Sequence, residues 1–257
     1  MGSGRPPIFW SRQPILSQDV DRFLQDRLER ALLEPRQRTL LAWPTVLGAP
    51  AQLDAHPQGM PEPTLLALAA RMVKALGVED PAAAWAEDRA GFPDTAVQDG
   101  ARWRPHPSWA SAAPLVSLRA GVTLLAMTGR PEDERYLLSC AAALFNCALF
   151  RECQEALGIL LLRSAGDLRR GLQGLILLAC GYYHQQHHHA AGMRSIWRDG
   201  AAHLGSFKGN IETPWGRIAF SRSLAMAAKR VAWLEEAPDE VDWARFWETP
   251  SPEWEFV

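Results

Sequence analysis

Few cysteines, no dominant sign of charge and no long apolar run mark this chain, and each shortage excludes something. Its four cysteines, at 140, 147, 153 and 180 of 257 residues, lie in apolar stretches and include no CxxC pair. A secreted, disulfide-stapled domain would put paired cysteines in loops, so buried free thiols in a reducing cytoplasm are expected. The 27 basic and 29 acidic side chains leave a formal net charge of −2, and no global field draws nucleic acid or an anionic membrane. No window offers the roughly 18 uninterrupted apolar residues of a membrane-spanning helix. The opening MGSGRPPIFW lacks the apolar core of a signal peptide, so neither export nor membrane insertion is expected. GxSxG, Walker, HExxH and GxGxxG patterns are missing, and with them the motifs of common hydrolase, nucleotide and dinucleotide chemistry. Sustained period-two alternation is missing as well, which predicts no β-sheet.

What is present is helical periodicity over a chain that is 47% hydrophobic, enough for a sizeable core. Ser17 caps a first helix reaching about Glu34, with Val20, Phe23, Leu24, Leu28, Ala31 and Leu32 at helical spacing. Prolines at 44, 50, 57, 61 and 63 predict a loop or linker from Trp43 to Pro63. Helices follow over Thr64–Leu76, with Gly77 at the cap, and from Asp80-Pro81 to about Ala90. An irregular stretch from Gly91 to Pro114 gives the best boundary, dividing an N-terminal helical region (1–113) from a C-terminal helical domain (114–257). In the second part the pattern predicts one helix over Pro114–Met127, with Leu115, Leu118, Val122 and Leu125 on one stripe. A longer helix runs from Pro131 to about Leu162, and after a restart at Gly166-Asp167 another reaches about His189. Further helices cover Met193–Leu204 and, after the loop GSFKGNIETPWG, Arg217–Glu236. Trp243, Phe246, Trp247, Trp254 and Phe256 crowd the tail, which is expected to pack across the body because so many free aromatics would make a sticky patch. The fold class read from this pattern is all-α, a multi-helix assembly.

The chemistry-bearing residues concentrate in LFNCALFRECQEALG and GLQGLILLACGYYHQQHHH, two segments read as an antiparallel helix pair joined by a short turn. The first carries Asn146, Glu152, Gln154 and Glu155; the second carries Gln173 and His184, eleven residues apart and so on one helical face. These segments resemble the DUF309 family, small all-helical proteins that have been described as predicted metal-dependent hydrolases. The family's first helix reads Phe-Asn-x-Gly-x-aromatic-aromatic-Glu-x-His-Glu, and Phe145, Asn146, Phe150, Glu152 and Glu155 fit it. Its second reads Leu-Gln-Gly-Leu-Ile with a later Tyr-His, and Leu172 to Ile176, Tyr183 and His184 fit. About a quarter of the chain, near 144–204, carries the resemblance. Gln154 stands where the family has histidine, Gly158 replaces a glutamate and Leu161 a tryptophan, and Ala148 and Arg151 depart too.

The resemblance implies a divalent metal such as zinc or manganese, with Glu155 as carboxylate and His184 as imidazole ligand, and Asn146, Gln154 and Gln173 orienting them. A glutamine amide is a poorer ligand and a poorer proton acceptor than imidazole, so the substitution at Gln154 falls at the centre of that chemistry. The alternative is that these groups hydrogen-bond one another and fasten the helix pair. By helical spacing His184, His187 and His188 share one edge and can share a metal, with Glu152, Glu155, His203 or a distant residue completing the set; a solvated histidine-rich helix end is the reading favoured over it. Cys180 and His184 form an i,i+4 pair that reads as coincidence among apolar flanks. Arg102, Trp103, Arg104 and Trp109 in RWRPHPSW have the composition of a nucleic-acid-binding loop, which Arg163, Arg169 and Arg170 could extend; an ordered loop with its tryptophans in the core is the reading favoured over it. The function expected is a non-catalytic helical scaffold or binding protein with a protein or peptide partner, similar to a tetratricopeptide hairpin but without a 34-residue repeat. Homo-oligomers are compatible with that expectation. A metal-dependent hydrolase using Glu155 and His184 is the competing class, and nucleic-acid binding the third.

Overall fold

The computed structural model describes residues 9, 16, 18–74, 76–78, 80–88, 96–107, 109–127, 134–237 and 240–257. Their elements are α-helices with two small antiparallel sheets, so the chain is mostly all-α. No helix among the described residues is long and apolar enough to cross a membrane. The chain divides into two compact units, one of residues 16–136 and one of residues 1–15 with 137–257. The irregular stretch at 91–114 therefore lies inside the first unit. The expected cap at Ser17 and helix start at Pro131 fall outside the described residues.

In the 16–136 unit, α1 (Gln18–Leu33) buries Phe23, Leu24, Leu28, Ala31 and Leu32, the face its periodicity predicts. After a 3-10 turn, α2 (Thr39–Leu47) runs straight through the start of the supposed proline loop, with Pro44 inside the helix. Burial overrides propensity here: Leu40, Leu41, Trp43, Val46 and Leu47 are all buried, and their packing outweighs the one helical hydrogen bond Pro44 forgoes. Pro50 opens α3 (Pro50–Ala55) at its first turn, where no donor is needed. Next come β1 (Met60–Pro61), α4 (Glu62–Lys74) and α5 (Pro81–Asp88), the last capped by Asp80, whose carboxylate accepts from the Ala83 amide at 3.0 Å. β2 (Ala96–Asp99) and β3 (Arg102–Pro105) then pair, giving the sheet order β1-β3-β2. The expectation of no sheet is thus corrected; strands of two to four residues are too short to print a period-two signal. In α6 (Ala113–Ala126) the buried side is Val116, Ser117, Ala120, Thr123 and Leu124, while Leu118 and Leu125 of the apolar stripe are 39% and 75% exposed.

The other unit holds the helix pair. The single long helix expected up to Leu162 is two helices, α7 (Glu134–Asn146) and α8 (Phe150–Arg163). Ala148 sits between them at φ 59, and the Leu149 and Ala148 amides donate back to Leu144 and Phe145 at 2.9 Å each, a left-handed helix ending. That is the position at which the resembled pattern has glycine. α9 (Gly166–Gln186) ends in the same way: His188 is at φ 55, and the His189 amide reaches the His184 carbonyl at 2.9 Å. α10 (Ala190–Leu204) folds back on α9, closely enough that a Cβ on Gly181 would stand 2.2 Å from the Trp197 indole. A hairpin of β4 (Asn210–Thr213) and β5 (Gly216–Ala219) leads into α11 (Ser221–Glu236), so the helix expected over Arg217–Glu236 starts after Arg217, which is in a strand. α12 (Trp243–Glu248) and β6 (Glu255–Phe256) complete the unit, β6 pairing with β5. The tail packs as its aromatics predict: Phe246 and Trp254 are buried, and the Trp254 ring stacks on Phe145 at 3.8 Å between centroids.

Candidate functional site

The polar residues of the helix pair separate into three places. Asn146, the last residue of α7, faces the 250–257 segment: its Nδ2 donates to the Trp254 carbonyl at 2.9 Å and its Oδ1 accepts from the Trp254 amide at 2.8 Å. One side-chain amide therefore satisfies both main-chain groups of a single residue. Beyond it the indole Nε1 of Trp254 donates to Ser223 Oγ at 3.1 Å, and Tyr182 Oη donates to the Ser223 carbonyl at 2.7 Å. The buried Arg230 guanidinium donates to Tyr182 Oη at 3.3 Å and to Thr249 Oγ1. Burial pushes the Tyr182 hydroxyl up to about 12, against the opposing pull of Arg230, so it stays a neutral donor. Burial likewise holds Arg230 below its usual range, with Tyr182 opposing.

Helix α8 disposes of its own polar groups. Gln154 Nε2 donates to the Phe150 carbonyl one turn back at 3.1 Å, and Glu155 pairs with Arg151 at 3.5 Å on a one-third exposed surface. Glu152 is buried in the first turn of α8. Gln173, three turns along α9 from His184, is exposed. Gln186 is a bridge that the sequence did not single out: its Nε2 donates to Phe9 at 2.9 Å and to the left-handed Ala148 at 2.8 Å. The signal for it was an amide placed two residues after His184 in an otherwise closed helix face, too common a pattern to read.

At the end of α9 the histidines diverge, which corrects the expectation of one shared edge. The helix stops at Gln186, so residues 187 and 188 leave the spiral that would have aligned them with His184. His187 lies edge-on to Tyr183 at 4.4 Å, and His188 stacks flat on Trp243 at 4.2 Å. His184 instead meets His189, with the two Nδ1 atoms 3.0 Å apart. A Cβ on Gly192 would come within 2.7 Å of His189 Nδ1 and 2.9 Å of His184 Nδ1, so the glycine makes room for the pair. Burial, then the neighbouring His189, hold His184 below the ordinary histidine range. Burial also raises the Cys180 thiol, with Arg151 opposing, and raises Cys153 strongly, so both remain protonated thiols at neutral pH.

Glu155, His184, His187 and His188 lie against different neighbours, and among the described residues no group of three or more His, Cys, Asp or Glu side chains could hold a metal ion.

In the 16–136 unit the RWRPHPSW stretch alternates along β3. Trp103 is buried, its indole donating to Glu62 Oε2 at 2.8 Å, while Arg102 and Arg104 point outward. Trp85 packs edge-on between Trp43 at 4.5 Å and Trp103 at 5.0 Å. Trp109 is buried beside Phe23, and Arg102 donates to the Gly59 carbonyl at 2.9 Å. Both tryptophans are thus withdrawn from any surface on which bases could stack. Of the outlying arginines, Arg170 pairs with Asp167 at 2.9 Å and Arg169 donates to the Leu161 carbonyl at 2.9 Å.

No curated protein and no solved structure matches the chain. Residues 138–196, from within α7 through α8 and α9 into α10, match the family model described as Domain of unknown function (DUF309).

Proposed function

We propose that this protein is a non-catalytic helical scaffold or binding protein built on a DUF309 core. The observation that carries this reading is the Asn146 clamp: a polar residue of the DUF309 pattern has both ends of its amide committed to the backbone of Trp254. A group so engaged orients main chain: one donor and one acceptor of the amide are held by the Trp254 peptide group. Gln154 and Glu155 support the reading in the same way, being bonded within their own helix. The four free cysteines and the raised thiols of Cys147, Cys153 and Cys180 accord with a reducing compartment such as the cytoplasm.

Elemental analysis of protein purified without a metal column, followed by zinc and manganese titration of wild type and His184→Ala, tests this reading. The expected result is no stoichiometric metal and no saturable uptake. One metal per chain, lost in His184→Ala, would overturn it in favour of the metal-dependent hydrolase.

A further inference from the structure

Residues 253–257 are held as a docked peptide is held. Three separate devices act within these five residues. Asn146 brackets the Trp254 peptide group with a donor and an acceptor, which recognises extended backbone whatever its side chains. The Trp254 ring fills a buried slot, stacked on Phe145 with 9° between planes, its indole nitrogen bonded to Ser223 Oγ. β6 adds to the edge of β5, and Arg217 and Val257 exchange main-chain bonds at 2.9 and 3.0 Å. Gly216 opens this edge, because a Cβ there would lie 2.7 Å from both the Phe256 ring and the Val257 carbonyl. Strand addition for affinity with a side-chain pocket for specificity is a recurrent way of binding peptides in extended form.

We propose that the end of α7, the edge of β5 and the first turn of α11 form a docking site for an extended, tryptophan-bearing peptide, and that residues 253–257 fill it intramolecularly and can be displaced. This rests on the binding-protein reading and names the ligand class that reading leaves open. Pro250 and Pro252 precede the segment, so the strap leading to it is irregular and short of ladder bonds, as a displaceable strap requires. Tethering gives the segment an effective concentration on the order of millimolar, so it outcompetes a micromolar free peptide in the wild type. Recognition of a partner then requires a tighter tryptophan-bearing strand or a weakened strap.

The probe is a fluorescein-labelled peptide of the sequence SPEWEFV, titrated by anisotropy into full-length wild type and into full-length Trp254→Ala, whose own segment has lost its ring. Saturable one-to-one binding to Trp254→Ala, weakened at least about tenfold in wild type by the tethered competitor, is expected, with loss of binding when the peptide's tryptophan is replaced by alanine. A folded Trp254→Ala that does not bind the peptide overturns the proposal. Hydrogen exchange on the wild type decides the matter should the variant fail to fold. Trp254 and Val257 amides exchanging through local opening, much faster than the core of α9, support displacement; exchange only with global unfolding makes the segment part of the core and overturns it. Metal titration of the same wild-type protein separates the two failures, since peptide binding can fail while the protein remains metal-free.

Discussion

At the scale of single residues, the His184–His189 contact has the clearest consequence. Two Nδ1 atoms 3.0 Å apart share one proton at most, one ring donating and the other accepting. Folding therefore lowers the affinity of His184 for a proton, in the direction that burial and His189 both impose. The unfolded chain binds protons more readily, so this contribution to stability is fully present above the ordinary histidine value of about 6.5 and is lost as pH falls below it. Urea unfolding at pH 7.5 and 5.5 is expected to show a larger loss on acidification for wild type than for His184→Gln; equal losses would remove the pair from the account. Ala148 supplies a second prediction. Its φ of 59 is a conformation that an L-residue adopts at a cost, so Ala148→Gly should raise stability by about 1 kcal/mol, read as a higher urea midpoint at unchanged slope. Glycine in the resembled pattern at this position has a physical reason, which the sequence of this chain alone does not display.

Between elements, close approach and tail docking do what a longer core would otherwise have to do. Gly181 lets α10 lay the Trp197 indole against α9, where Trp197 Nε1 donates to the Leu178 carbonyl at 3.2 Å. Gly181→Ala gains about 1 kcal/mol of helix propensity but forces an overlap, and a net loss of about 1–3 kcal/mol is expected in thermal or urea unfolding. Helices α1, α4, α5, α9 and α10 were legible from their periodicity, because their spacing and caps act locally. The break at Ala148, the helix through Pro44 and the two sheets were not. Each depends on partners distant in sequence: Gln186 against Ala148, a buried surround for Trp43, and β5 for β6. The histidine edge failed for a local reason, a helix ending three residues earlier than its run of polar residues implied.

For the molecule as a whole, the candidate site was legible as a set of residues and not as an arrangement. Asn146, Gln154, Glu155 and His184 stood out because they interrupt apolar helices, yet a sequence does not say whether such groups face one another or face away. The structure sends Asn146 to Trp254, Gln154 to its own backbone, Glu155 to Arg151 and His184 to His189. Trp254 itself, 108 residues from Asn146, was recognisable only as one of several tail aromatics. The account therefore turns on Asn146 as a clamp. Urea unfolding of Asn146→Ala against wild type tests this most directly: removing the amide leaves the buried Trp254 N–H and carbonyl unpaired, and a loss of about 1–3 kcal/mol is predicted. An unchanged urea midpoint would contradict the account and leave the Asn146 amide without the clamping role assigned to it.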